Sequence, residues 1–174
     1  ILAPFLCGVV LAASGCGFHL RGGAELPPSV QTLSVQAANP YSELAGDLRR
    51  ALQSSGVRIV DEPREADAVV HVLGENTGRR VVSVGSGGKV REYELLYTVT
   101  FSVADRQGRE TIAPQAVTLS REYTFDETAV LGTAEEEALL YRDMQQQAVR
   151  QILRRVQAGY ASADNRQEPP PRSA

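Results

Sequence analysis

Residues 93–103 constrain this chain more than any other stretch. Tyr93, Leu95, Tyr97, Val99, Phe101 and Val103 alternate with Glu94, Leu96, Thr98, Thr100 and Ser102. Side chains on a strand point to opposite faces with period two, so one face here is apolar and the other mixed. That is the pattern of an antiparallel strand lying on a core. Just before it, Ser86-Gly87-Gly88-Lys89 reads as a tight hairpin turn, because paired glycines admit positive φ. Residues 75–84 supply the other arm, with Gly78 as a bulge or bend. That arm continues back into residues 68–73, an apolar, β-branched run expected to be a central strand. Residues 105–109 turn the chain again. The last strand is expected over 115–125, with Pro114 confining what precedes it to an edge or an entry.

The remaining elements must cover this sheet. Residues 32–36 alternate and predict a first strand. Asn39-Pro40 reads as an N-cap followed by Pro in the first helical position. Tyr41, Leu44, Leu48, Ala51 and Leu52 then recur at helical spacing until Gly56, with Arg49 and Arg50 on the solvated side. Residues 57–60 are a short extended piece and 61–67 a polar loop. A strand, a helix and a further strand within roughly 45 residues predict a crossover joining parallel strands. Thr133-Ala134-Glu135-Glu136 has the form of a capping box. The stripe after it comprises Ala138, Tyr141, Ala148, Val149, Ile152, Val156 and Tyr160, with Arg150, Arg154 and Arg155 toward the negative dipole end. Residues 161–174 lack the apolar content to fold and are expected to be a disordered tail. The expected class is α+β: two helices packed on one face of a roughly four-stranded mixed β-sheet, one α/β sandwich domain over 31–160. The other sheet face, with Thr98, Thr100, Ser102 and Leu96, is too polar to force an obligate interface.

The N-terminus constrains location. Residues 1–13 are nearly all apolar and uncharged, and fall short of the ~20 residues a spanning helix needs. They fit the core of a signal peptide over 1–15, read as beginning inside the signal because no initiator Met or basic segment precedes it. Ser14-Gly15-Cys16 resembles the lipobox of bacterial lipoproteins, although Ala13 stands where Leu is usual. The alternative is an ordinary signal peptide with a chance Cys. Cys7 lies within the signal, so Cys16 is left as the lone mature thiol and has no intramolecular partner. Acylation explains it: each buried CH₂ contributes ~0.8 kcal/mol, and two or three chains make a durable anchor. Gly17 occupies the place where Asp would, in the proteobacterial sorting pattern, retain a lipoprotein at the inner membrane. Residues 16–30, rich in Gly and Pro, form a lipidated tether. His19 within it has no second ligand nearby and reads as a solvent-facing residue.

Few residues suggest chemistry. The formal net charge is −3, so the bulk balance implies no nucleic acid as partner. There is no nucleophile elbow, zinc-binding helix motif or phosphate loop. His71 is the one base within the fold, and its place in an apolar strand favours a structural role. Glu135-Glu136-Glu137 fits a helix N-terminus. The chain reads as no enzyme, with no metal and no cofactor beyond the lipid on Cys16. One asymmetry stands out: Arg79, Arg80, Lys89 and Arg91 fall in the hairpin with no acidic residue between them. Such a cluster suits phosphates. It equally suits a solvated hairpin whose charges limit edge pairing.

Cys16-Gly17-Phe18-His19-Leu20-Arg21-Gly22 resembles the start of the mature LptE family of lipopolysaccharide-assembly lipoproteins. Arg91-Glu92-Tyr93-Glu94-Leu95, running into the alternating strand, resembles the family's Glu-Tyr strand, and the element order matches from Cys16 to about Gly159. The resemblance implies a lipid-anchored protein of the Gram-negative outer membrane. It would dock inside the lumen of the LptD β-barrel, support its assembly and help pass lipopolysaccharide to the outer leaflet. It also implies lipid A phosphates as ligands for Arg79, Arg80, Lys89 and Arg91. The family's own contact residues do not map onto these positions, because glycines replace much of the turn. The alternative is a solitary envelope lipoprotein that binds another ligand or the cell wall. If Cys16 carries the anchor, Cys16→Ser leaves an unprocessed or released chain on membrane fractionation and N-terminal mass spectrometry. A normally cleaved, membrane-held Cys16→Ser chain would contradict the reading.

Overall fold

The computed structural model describes Leu26, residues 30–126, Thr128 and residues 130–167. The signal expected over 1–15, Cys16, most of the tether expected over 16–30 and the chain beyond Gln167 lie outside the described residues.

The alternating segment is the middle of strand β4 (Val90–Asp105), and its odd-numbered residues form the core: Leu95, Val99, Phe101 and Val103 are fully buried and Tyr97 nearly so. β4 pairs antiparallel with β3 (Ala68–Val84) on one side and β5 (Glu110–Thr124) on the other. β1 (Thr32–Ala37) lies parallel to β3, as the crossover predicts. The count is five strands instead of four, in the order β2-β1-β3-β4-β5. The additional strand is β2 (Arg58–Ile59), cut from the short extended piece. Arg58 N–H donates to Gln31 O at 3.0 Å and Val60 N–H to Leu33 O at 2.9 Å, which turns that piece into an edge. Gly78 pairs in register with Leu96, and the first bulge falls at Leu73 instead. β5 begins at Glu110, earlier than its alternation suggests. Pro114 sits in a register break between Phe101 and Val103 of β4, on an edge strand where its missing N–H costs nothing.

Helix α1 (Glu43–Ser54) starts later than Asn39-Pro40 implies. Asn39 Oδ1 accepts from Tyr41 N–H at 3.0 Å, making a turn, and Ser42 Oγ caps Ala45 N–H at 3.2 Å. Tyr41 therefore leaves the stripe and is 95% exposed, while Leu44, Leu48 and Leu52 are buried. Arg50 pairs with Asp47 in solvent, but Arg49 turns inward and donates to Pro40 O and Val35 O.

Helix α2 (Val130–Gln167) begins ahead of Thr133, so the expected capping box lies inside the helix. The turn is made earlier, where the Asp126 carboxylate accepts from Thr128 N–H and Oγ–H at 2.8 and 2.7 Å. Ala138 is exposed, and Met144 completes the buried stripe with Ala148, Val149, Ile152 and Val156. Gly159 does not stop the helix. A Cβ there would sit 2.6 Å from Cδ1 and 2.9 Å from Cγ1 of Ile112, so glycine lets helix and sheet approach, and the helix continues to Gln167.

The chain enters β1 through a polar knot. Asp67 Oδ2 accepts from Gln31 N–H, Thr32 N–H and Thr32 Oγ–H at 3.0, 2.9 and 2.8 Å, and Arg106 donates to Oδ1 at 2.9 Å. Burial alone would push the Asp67 carboxyl up, but these donors together hold it below the ordinary value. Leu26 and Val30 pack on the core beside it, so the C-terminal end of the tether is part of the body.

Ala is normally worth ~1 kcal/mol over Gly inside a helix. Gly159→Ala is nevertheless expected to lower the thermal midpoint, since it meets Ile112; a raised midpoint would show that the contact yields freely. Ile152→Ala is expected to cost ~2–5 kcal/mol by opening a cavity under α2, measured by denaturant unfolding. For Asp67, the folded pKa lies below the unfolded one, so its contribution is present above the unfolded value and lost as pH falls through the folded one. Asp67→Asn should therefore lower the midpoint at neutral pH, with the gap to the parent closing in acid. A gap independent of pH would contradict this.

Candidate functional site

Because β1 and β3 run parallel, the Asp67 knot lies at the end where β3 begins, and the β3–β4 turn lies at the far end. β3 has 17 residues, which at ~3.3 Å each separates the two poles by roughly 55 Å. The turn itself is fixed by Gly85 N–H to Lys89 O at 2.8 Å and Gly88 N–H to Gly85 O at 3.0 Å, with Gly88 at φ 74°. Past the turn, Phe125 N–H donates to Arg91 O at 2.8 Å and fastens the end of β5 to the hairpin. Between them opens a recess of about 440 Å³, walled by Lys89, Val90, Arg91, Thr124, Phe125 and Asp126. Arg91 lies across Gly85 so closely that a Cβ there would sit 2.7 Å from Nε. A side chain at 85 would make the arginine shift.

The structure parts the four cations. Arg80 stands opposite Glu94 in the register and pairs with it, and Glu94 is only 8% exposed. Arg79 donates to Glu137 Oε2 of α2 at 3.1 Å and sits 4.5 Å above the Tyr93 ring. Glu137 also accepts from the Tyr123 hydroxyl at 2.9 Å. Burial, and then the bond to Glu137, push the Tyr123 hydroxyl pKa up. Tyr93 packs in turn on Tyr123 and Phe125 at 5.8 and 5.3 Å between ring centres. Tyr141 of α2 donates to Gly78 O at 2.8 Å. Arg79 and Arg80 thus brace the arm against α2 and β4, while Lys89 and Arg91 border the recess. Sequence reasoning missed Glu137, Phe125 and Gly85. Glu137 was visible only as one of three helix-start glutamates, although Tyr93 and Tyr123 on neighbouring strands marked the aromatic floor.

His71 stands between Gln36 of β1 and Ser102 of β4 and is half-buried. Among the described residues no three His, Cys, Asp or Glu side chains converge as a metal site, and no helix is long and apolar enough to cross a membrane. What the arrangement presents is a small recess on a braced arm, lined by two cations, Lys89 and Arg91, and one carboxylate, Asp126.

A helix-backed sheet with an overhanging hairpin defines a class of bacterial lipoprotein. An uncharacterized lipoprotein B from Nitrosomonas europaea superposes with a TM-score of 0.73 at 30% identity, over 87% of this chain and 97% of that one. The rare lipoprotein B from Shewanella oneidensis does so with a TM-score of 0.67 at 29% identity, over 79% and 99%. Within this class the chain belongs to the LptE family: the family's profile, lipopolysaccharide-assembly, matches residues 30–156. Among relatives, the LPS-assembly lipoprotein LptE of Pectobacterium atrosepticum is 34% identical over 148 residues, 84% of this chain and 79% of its own length. That of Yersinia enterocolitica is 32% identical over 163 residues, 93% and 78%.

If Arg79 is a brace, Arg79→Met lowers the thermal midpoint, whereas Lys89→Ser leaves it in place. Equal effects of the two changes on melting would show that the braced and recess cations are not distinct.

Proposed function

We propose that this chain is a lipid-anchored outer-membrane subunit that docks in the lumen of an LptD-like β-barrel, supports its assembly and binds lipopolysaccharide in transit. Its contribution is shape and recognition rather than catalysis, and the acyl group on Cys16 holds it to the membrane. Family membership supports the setting. The observation that carries the ligand reading is the recess itself, which Lys89 and Arg91 both line, with Asp126, at the far end of β3 from the start of β1. The phosphates of lipid A match this pair: arginine offers a bidentate fork and lysine a point charge. Of the four hairpin cations, Arg79 and Arg80 serve by holding the arm through their ion pairs, and Lys89 and Arg91, which line the recess, are the phosphate contacts.

Charge-assisted contacts contribute at most ~1.5–3 kcal/mol each and less when exposed. Lys89→Ser combined with Arg91→Ser should therefore weaken binding of the full chain to lipopolysaccharide about tenfold. The loss should shrink as salt rises, with circular dichroism and melting unchanged. Arg50→Ser with Arg58→Ser, which removes equal charge from α1 and the edge strand β2, should have little effect. An equal loss from that control would show that only net charge matters and that the hairpin is a solvated turn.

A further inference from the structure

The hairpin carries a feature that phosphate binding leaves unused. Val81, Val82 and Val84 are 49%, 45% and 57% exposed, half of the large hydrophobic side chains found exposed among the described residues. An arm projecting into water is ordinarily blunted by charge or proline, because exposed β-branched runs invite pairing. This chain uses both devices elsewhere. On the edge strand β5, Arg155 donates to Ala116 O at 2.7 Å, Arg121 to Ser120 O at 2.9 Å, and Pro114 interrupts the ladder. The valine run of β3 has no such guard within it. It also coincides with two register shifts, one between Val81 and Ser83 and one between Ser83 and Val84, which break strict alternation. Bulges re-aim side chains and gather at binding sites. Val84 pairs directly with Val90, and Val90 and Phe125 wall the recess beside Lys89 and Arg91. Val81 stands opposite Tyr93 and Val84 opposite Val90, so the exposed valines lead along the arm to the edge of a recess lined by Lys89, Arg91 and Asp126.

We propose that Val81, Val82 and Val84 form a track for the acyl chains of the same lipopolysaccharide molecule whose phosphate meets Lys89 and Arg91. The track rests on the ligand reading above and extends it from headgroup to tail. Inorganic phosphate or a bare sugar phosphate would engage only the recess; an amphiphile with adjoining anionic head and hydrocarbon engages both. Burial of apolar area against the valines adds to the charge contacts and, unlike them, does not weaken with salt.

The test uses the immobilised full chain and two ligands: intact lipopolysaccharide, and the same material with its ester-linked acyl chains removed by alkali. Val82→Thr with Val84→Thr keeps the β-branched shape and adds hydroxyls. It should weaken binding of intact lipopolysaccharide about tenfold and leave the deacylated ligand unaffected, with melting unchanged. Lys89→Ser with Arg91→Ser should weaken both ligands, and Leu73→Thr, an exposed apolar residue outside the track, neither. Should the threonine pair disturb melting, Val84→Thr alone is compared on the two ligands, with the same discrimination expected. The track is overturned if the parent chain holds the deacylated ligand as tightly as the intact one. It is also overturned if the valine changes are silent while the Lys89 and Arg91 changes are not, an outcome under which the phosphate reading stands. Binding of neither ligand by the parent chain overturns both. A third arm uses phosphatidylglycerol vesicles free of lipopolysaccharide. An equal loss of adhesion there by the valine variant would make the arm a general bilayer-inserting element and overturn the track.

Discussion

The apolar face of β4 is the constraint on which the rest depends. Both long neighbours hydrogen-bond to this strand, α2 lies against it and β5, and its buried side chains share one core with those of α1, which lies against β1, β2 and α2. One polar group is drawn into that face. The Tyr97 hydroxyl donates to Glu75 at 2.6 Å, and burial together with that bond pushes its pKa up. Near the hairpin, Tyr93 and Tyr123 extend the same face as an aromatic floor under Arg79 and Glu137. One alternating run therefore builds the core at its centre and the brace at its end.

The brace explains how a long hairpin stays ordered beyond the sheet's middle. Isolated two-stranded ribbons are marginal in water. Here β5 accompanies β4 as far as Glu92, and α2 ties in through Glu137 and Tyr141. The turn, with Lys89 and Arg91 on the wall of its recess, is carried on a supported arm. At the other pole the Asp67 knot secures the point where the tether joins β1. The entry to β1 and the candidate site are thus held at opposite ends of one sheet.

Much of this was legible in the residues because it depends on local period or local turn chemistry. The alternation of β4, the glycine turn and the Leu44, Leu48, Leu52 stripe need no partner to be read. What was misread depends on distant partners. Gly159 looks like a helix stop until Ile112 is seen against it. Thr133 looks like a cap because its sequence cannot show that Asp126 has already turned the chain. Arg79 and Arg80 look like half of a ligand cluster because their carboxylates arrive from elsewhere, Glu137 from 58 residues along the chain and Glu94 from across the hairpin. Charge clusters are read poorly from sequence for this reason: acidic residues absent between the cations in the chain are not absent in space.

The central claim is that this body works inside a barrel and not alone. Outer membranes of cells carrying a tagged chain, solubilised in mild detergent and passed over the tag's resin, test it directly by the mass and identity of what elutes. The account predicts a stable complex containing an LptD-like β-barrel in equal amount, lost from the fraction when the chain is absent. Elution of the chain by itself, with the barrel recovered separately and intact, would contradict it.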